Sequence, residues 1–477
     1  MCGIIGIIGV DDVFVNLYEG MLAIQHRGQD AAGAATFDGI SFSMKKGYGL
    51  VRDVFDEKHL SRLKGNVGLA HVRYPTYGDS TPEDAQPFMV NHPFGIVMAH
   101  NGQVTNYPEL KHELMEKGQR RLNSTCDVEA ILNVFADALG KLRGTDVENI
   151  FGAVKDVFTR VAGGYSVLAI IAGKGLLSFR DPYGIRPLIM GRHQPTGSYA
   201  VASESAPLDM LGYRSKEDIP PGGAVFIDLE GNVHKRRLIE REPYPCIFEY
   251  IYFARPDSFI DGISVYETRI RLGKALLPSL SDLDIDVVIP VPDSARPAAI
   301  AIARVCDIPY REGLVKNRYI GRTFIMPSDN ERQKSVRRKL NAIRMEFNGK
   351  NVLMVDDSIV RGNTSREIVR IARESGAEKV FFASCSPPLK HPCVYGIDMS
   401  TRGEFLAGNR NMDEIEKFIG ADAVIYLPME GMVEAVNDAK SFRNNFCTGC
   451  FTGDYPTPVS DGMLSEIEND RLCSRRC

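Results

Sequence analysis

The 477-residue sequence contains no apolar run approaching the ~18 residues that a membrane span needs, which leaves no candidate for a transmembrane helix. It also lacks an excess of charge. Lys plus Arg number 57 against 61 for Asp plus Glu, a net charge of -4, so no global field draws the chain to nucleic acid or anionic lipid. Any basic site must be local. No basic stretch followed by an apolar core opens the chain, and neither a low-complexity segment nor an internal repeat interrupts it; a cytosolic globular protein is expected. Apolar residues make up 44% and charged residues 25%, too hydrophobic for a disordered or collagen-like chain. At ~150 residues per domain, the length implies two large domains or three smaller ones. Cysteine, by contrast, is plentiful. Ten in a leaderless chain point to free thiols, a metal or catalysis rather than to disulfides.

The two halves have different rhythms. In the first, short apolar runs bounded by Gly, Asn or Pro read as strands (Gly3 to Val10, Val67 to His71, Ile96 to Ala99, Ser166 to Ala172), with helical patterns at Val13 to His26, Tyr107 to Lys117 and Val128 to Leu139. Sheets covered by helices are expected. From about Tyr250 strand, loop and helix alternate: Asp286 to Pro290 leads into Ala295 to Val305, and Asn351 to Val355 into Arg366 to Ser375 and then Val380 to Ser384. That alternation predicts a doubly wound parallel sheet. Charges and prolines between Glu230 and Pro245 mark the boundary, giving domains at 2–235 and 245–440 and an irregular tail at 441–477.

Cys2 follows Met1, and a small second residue is a context in which Met1 can be removed. One residue would then carry both a thiol and an α-amine of pKa ~7.7 to 8.0, able to act as general base towards that thiol. A lone Cys2 would more often be a buried small hydrophobe. The blocks Cys2-Gly3-Ile4-Ile5-Gly6, Gln25-His26-Arg27-Gly28-Gln29-Asp30, Ala70-His71-Val72-Arg73-Tyr74 and Ala99-His100-Asn101-Gly102 together resemble the glutamine amidotransferase domain of the N-terminal-nucleophile (Ntn) hydrolases. The resemblance implies an αββα sandwich. It makes Cys2 the nucleophile, gives Asn101 and Gly102 the oxyanion role that amide hydrolysis requires, and assigns Arg73 and Asp127 to the carboxylate and ammonium of glutamine. The glycines Gly3, Gly6 and Gly9 do not have G-x-G-x-x-G spacing and follow no strand, so they are no dinucleotide fingerprint.

In the second half, the apolar run Val352 to Val355 ends in Asp356-Asp357-Ser358-Ile359-Val360-Arg361-Gly362-Asn363-Thr364-Ser365. Hydroxyls and backbone N–H groups at a helix start suit a phosphate, and paired acids suit ribose hydroxyls with or without Mg²⁺. The segment resembles the phosphoribosyl pyrophosphate (PRPP) motif of type I phosphoribosyltransferases, with Asn363 where Thr is usual. By that resemblance Asp356, Asp357, Ser358, Arg361, Gly362 and Thr364 bind PRPP. Pro290-Val291-Pro292-Asp293-Ser294-Ala295-Arg296 is the pyrophosphate turn, with Asp293 and Ser294 on its metal side; Ser294, Asp356 and Asp357 are the Mg²⁺ candidates. Between the motifs, Lys316 to Arg344 is rich in Lys and Arg. Such a run is usually a solvated face, but its position suggests a lid over a polyanion, and no aromatic platform supports nucleic-acid binding instead.

A glutaminase joined to a PRPP site gives a reaction in which ammonia displaces pyrophosphate from C1 of the ribose. Across its length the chain resembles the amidophosphoribosyltransferases of purine biosynthesis, which implies 5-phosphoribosylamine as product, a homotetramer and inhibition by purine nucleotides. Cys447-Thr448-Gly449-Cys450 alone is compatible with zinc, redox chemistry or no ligand at all. The contexts of Cys246, Cys393, Cys447 and Cys450 match the iron-sulfur branch of the family, which implies a 4Fe-4S cluster on those four; spacing alone does not separate it from zinc. Cys126, Cys306 and Cys385 read as inert, and Cys473 and Cys477 have no assigned role. Two other readings compete: a redox-sensitive PRPP- or nucleotide-binding regulator, which would not need Cys2, Arg73, Asn101 and Asp127 together, and a hexosamine or asparagine synthase, which would not need a phosphoribosyl motif.

Overall fold

The Gly3–Ile8 strand is buried along its whole length. Its alternate side chains enter two different cores: Ile5 and Ile7 pack with Phe14, Leu17 and Met21, whereas Ile4 and Ile8 pack with Val97, Leu168 and Ile170. A run of isoleucines without polar alternation is what a strand covered on both faces requires. The computed structural model describes residues 1–74, 82–118, 120–317, 340–399, 401–437 and 445–473. In it, Gly3–Ile8 lies at the centre of a seven-stranded sheet, between antiparallel Val67–Arg73 and Tyr199–Ala202. A second, six-stranded sheet is built around Ile96–Val104 and Gly163–Ile171. Phe14–Ala23 and Ser205–Met210 cover the outer face of the first sheet, and Asp127–Leu142 and Val147–Arg160 that of the second. The layers are therefore αββα, the Ntn-hydrolase arrangement.

The second unit has a four-stranded parallel sheet in the order Val287–Pro290, Asn351–Asp356, Lys379–Ser384, Ala423–Tyr426. Val265–Ala275, Arg296–Cys306 and Met429–Val436 pack on one face, Asn363–Glu374 and Met412–Ile419 on the other. Helices on both faces of a parallel sheet make it doubly wound, as the alternating pattern predicts.

Three regions qualify the reading of the sequence. The first unit's sheet ends on the edge strand Val233–Arg237, so its pairing continues past residue 235, and Leu238 N–H still donates to Gly222 O at 2.9 Å. The tail is not irregular throughout. Asp461–Cys473 is a helix whose start is held by Ser460, where Oγ accepts from Met463 N–H at 3.2 Å and the carbonyl from Leu464 N–H at 3.1 Å. Ile467 is buried, and Glu468 pairs with Arg402 at 3.0 Å. The helix lacks a regular apolar stripe, which is why periodicity does not reveal it. Of the basic segment expected as a lid, Lys316 ends the Leu314–Lys316 strand paired with Leu340–Ala342, and Arg344 opens a short turn. Arg318, Arg322, Arg332, Lys334, Arg337, Arg338 and Lys339 lie outside the described residues. Among the described residues no helix is long and apolar enough to cross a membrane.

Candidate functional site: a buried thiol and a phosphoribosyl loop

Cys2 sits at the entrance of the central strand and is 6% exposed. Its backbone N–H, the nitrogen that becomes the α-amine if Met1 is removed, donates to Asn101 Oδ1 at 3.2 Å. Its thiol donates to Tyr74 O at 3.5 Å. Burial pushes the thiol pKa up, opposed by the terminal ammonium, the Tyr74 contact and the Arg73 guanidinium. Asn101 lies on Ile96–Val104, which runs five residues beyond the Ala99 end expected from the sequence. Its Nδ2 is buried and has no hydrogen-bond partner among the described residues, which leaves this amide group as a candidate donor beside Cys2. Gly102 has φ +149°, and a Cβ there would stand 2.0 Å from Gly164 O, so this turn of the strand admits only glycine.

Arg73, at the end of Val67–Arg73, is buried with Nη2 3.7 Å from Asp84 Oδ2. Asp127 opens its helix and accepts from Val104 N–H at 2.8 Å, with His100 Nε2 at 3.2 Å. Burial opposes its charge, but these two partners hold its carboxyl below the usual range. The structure thus brings Cys2, Arg73, Asn101, Gly102 and Asp127 to one end of the sandwich. It adds Gln86, which no spacing signals: its Oε1 accepts from His100 N–H at 2.7 Å and its Nε2 lies 3.0 Å from His100 Nδ1, fixing the ring that faces Asp127.

At the C-terminal edge of Asn351–Asp356 the two carboxylates are buried side by side. Asp356 accepts from the Asp357 N–H at 2.9 Å, and Asp357 accepts from Ser358 Oγ at 2.6 Å and from Ser294 Oγ. Burial raises both pKa values, and the neighbouring carboxylate raises that of Asp356 further. Two carboxylates and a hydroxyl on one wall are an oxygen donor set suited to Mg²⁺, and a cation there would relieve the repulsion. Gly362, at φ +74°, turns the chain into the Asn363–Glu374 helix. Asp293 is held apart from this pair by Arg296 at 2.5 Å and Lys316 at 3.3 Å, which keep its carboxyl below the usual range against the opposing effect of burial.

A cavity of about 770 Å³ lies over the phosphoribosyl loop and reaches Met1 and Tyr74, next to Cys2. Met1 and Tyr74 line it from the first unit; Asp356, Asp357, Arg361, Gly362 and Thr364 line it from the second. The units meet tightly beside it: Tyr74 Oη donates to Asp398 Oδ2 at 3.4 Å, and a Cβ on Gly396 would stand 2.9 Å from Gly102 O.

Cys246, Cys393, Cys447 and Cys450 are all buried, and none of them is in a disulfide. Cys246 and Cys447 are neighbours in a parallel bridge, and the thiols of Cys447 and Cys450 are raised by burial and then by the other cysteines of the group. They occupy one neighbourhood. Yet among the described residues no three His, Cys, Asp or Glu are placed to share one ion. Four buried thiols in one neighbourhood are a soft donor set of the kind that holds either zinc or an iron-sulfur group. Cys126 and Cys385 are buried and raised by burial to thiols that stay protonated, whereas Cys306 is exposed at a helix end.

An αββα sandwich with a thiol at the mouth of its central strand is the frame of a glutamine amidotransferase. The glutamine amidotransferase domain family matches residues 71–210. Amidophosphoribosyltransferases of Pseudomonas aeruginosa and Escherichia coli are each 48% identical to this chain, covering 99% of it and 96% of theirs, and that of Schizosaccharomyces pombe is 46% identical over all of this chain and 94% of its own. The glutamine PRPP amidotransferase of Bacillus subtilis, solved with ADP and GMP, superposes with a TM-score of 0.87 at 38% identity, covering 96% of this chain and 98% of that one. The chain belongs to the amidophosphoribosyltransferase family. It is an enzyme that moves the amide nitrogen of glutamine to C1 of PRPP, yielding 5-phosphoribosylamine, glutamate and pyrophosphate at the first step of purine biosynthesis.

Proposed function

We propose that this transfer runs from Cys2, the nucleophile once Met1 is removed, past Tyr74 into the cavity over the phosphoribosyl loop. The observation that carries the reading is the pairing at Asn101: Oδ1 takes the N–H of Cys2, while the buried Nδ2 is left for a developing oxyanion. In this reading the Cys2 amine takes the thiol proton, the thiolate attacks the glutamine amide carbon, and Asn101 Nδ2 with the Gly102 N–H receives the oxyanion. Arg73 and Asp127 hold the two charged ends of glutamine. Ammonia then passes Tyr74 into the cavity that Asp356 and Asp357 line, where exclusion of bulk water would protect both the ammonia and the activated sugar.

At the other end, Ser358, Arg361, Gly362 and Thr364 bind the phosphoribosyl part of PRPP. Asp356, Asp357 and Ser294 hold Mg²⁺, which supplies charge neutralisation for departing pyrophosphate. No protein nucleophile is needed there; the loop orients C1 towards the arriving ammonia. Cys246, Cys393, Cys447 and Cys450 hold a 4Fe-4S cluster with a structural role. We place the enzyme in the cytoplasm as a homotetramer subject to purine-nucleotide inhibition, a property for which the ADP and GMP bound to the B. subtilis relative give support.

The test is PRPP-dependent glutamate release. Cys2→Ala should reduce it to background while ammonia-dependent synthesis of phosphoribosylamine continues; unchanged release would remove Cys2 from the reaction. Retention of Met1 should have the same split effect, and equal glutaminase rates with and without Met1 would rule out the amine as base.

A further inference from the structure

The four cysteines belong to the second unit and the tail, yet the cation beside them comes from the first unit. Arg186 follows the Asp181–Ile185 turn, and its backbone is fixed. Its N–H donates to Asp181 Oδ2 at 3.2 Å, and its carbonyl accepts from Arg180 Nε at 2.7 Å and Ser166 Oγ at 2.9 Å. The side chain is fully buried. Nη2 faces Cys393 Sγ at 3.9 Å, and Nη1 faces Glu249 Oε1 at 3.3 Å and contacts Met1 Sδ.

Glu249 does not neutralise Arg186 alone. Its Oε2 accepts from Arg27 Nη2 at 2.7 Å, and Arg27 also pairs with Glu204, which in turn faces His26 Nε2 at 2.7 Å. The carboxylate lies closer to Arg27 than to Arg186. A buried guanidinium needs anionic partners to offset its desolvation, and besides Glu249 the side-chain atoms that the Arg186 nitrogens face are sulfurs, Cys393 Sγ and Met1 Sδ; thiolates bound to a cluster would supply negative charge there.

We propose that Arg186 is a positioning residue that sets the electrostatic environment of the four-cysteine centre across the unit boundary, with Glu249 tempering its charge. The inference rests on the assignment of a 4Fe-4S cluster to that centre. Cluster potentials respond to nearby charge and to N–H···S contacts. A buried cation with an N–H directed at Cys393 favours the reduced cluster, and a carboxylate behind that cation weakens the effect. Opposite signs are therefore expected for loss of the two groups, which a merely structural contact would not produce.

The experiment uses full-length protein prepared anaerobically. Iron and sulfide content and the visible spectrum of the unaltered enzyme come first; absence of iron there defeats the cluster assignment itself. With iron present, midpoint potentials are compared by spectroelectrochemical titration. Arg186→Gln should shift the one-electron equilibrium at least tenfold towards the oxidised cluster, about 59 mV, and Arg186→Lys should recover part of that shift. Glu249→Gln should move the potential the other way. Unchanged potentials at full iron content, or shifts of the same sign in Arg186→Gln and Glu249→Gln, overturn the proposal. If Arg186→Gln retains no iron, Glu249→Gln decides: a positive shift supports the role of Arg186, and no shift ends it.

Discussion

The Cys2 site and the Asp356 loop solve opposite electrostatic problems. At Cys2 the groups sit on strand ends and at the start of one helix, buried, with Asn101 Nδ2 without a hydrogen-bond partner among the described residues. At the loop, two adjacent carboxylates are buried with burial and mutual repulsion against them. The first site, once Met1 is gone, suits negative charge that develops during the reaction. The second concentrates negative charge that a cation would relieve. Preorganised donors and crowded carboxylates are thus divided between the two sites.

Substitutions can separate the two. The largest effect is expected for Asp357→Asn, which should abolish phosphoribosylamine formation from either nitrogen source, in contrast to the glutamine-only loss for Cys2→Ala; retention of ammonia-dependent synthesis would show that the loop carboxylate is dispensable. Next in size is Asn101→Ala. Removal of one oxyanion donor costs about 10² to 10³ in kcat, so glutaminase turnover should fall by that factor while the ammonia-dependent rate is preserved, as measured by parallel assays. A loss confined to the glutamine KM would assign Asn101 to binding instead.

The smallest effect sharpens the contrast through pH. The Asp356 pKa is raised in the folded protein above its unfolded value of ~3.9. The unfolded chain therefore gives up this proton first, and the carboxyl costs stability progressively as pH rises from that value through its folded pKa. Asp356→Asn should leave the Tm of metal-free protein unchanged at acid pH and raise it by a few degrees near neutrality. Added Mg²⁺ should shrink the difference by stabilising only the protein that keeps the carboxylate. A Tm difference independent of pH would contradict the burial of charge at the loop.

Much of both folds was legible because each strand announces how it is covered. Ile4 to Ile8 has no polar alternation and is covered on both faces, and the strand, loop, helix rhythm after Tyr250 matches the parallel sheet. The motif residues around Cys2 and Asp356 converge as their blocks suggest. What was not legible depends on long-range pairing. Arg186 and Glu249 are 63 residues apart and Gln86 lies 14 residues before His100, and no local spacing encodes either meeting. The extension of Ile96–Val104 was hidden by Asn101 and Gly102, a pair that reads as a turn until the neighbouring strand supplies its ladder. The last helix was hidden because its docking uses Ile467 and an ion pair rather than a continuous stripe.

The contact between Gly396 and the Gly102 carbonyl bears on how such a protein can be recombined. A side chain on Gly396 would displace the backbone of the other unit at Gly102, and the buried Arg27 finds a carboxylate on each side, Glu204 before the boundary and Glu249 after it. A chimaera that joins this amino-terminal half to a foreign acceptor half at residues 238–245 would therefore leave Arg27 with Glu204 in place of two carboxylates, and would need a bare glycine opposite Gly102 O. The halves look like interchangeable parts in the sequence, but they fit as a lock cut for a single key.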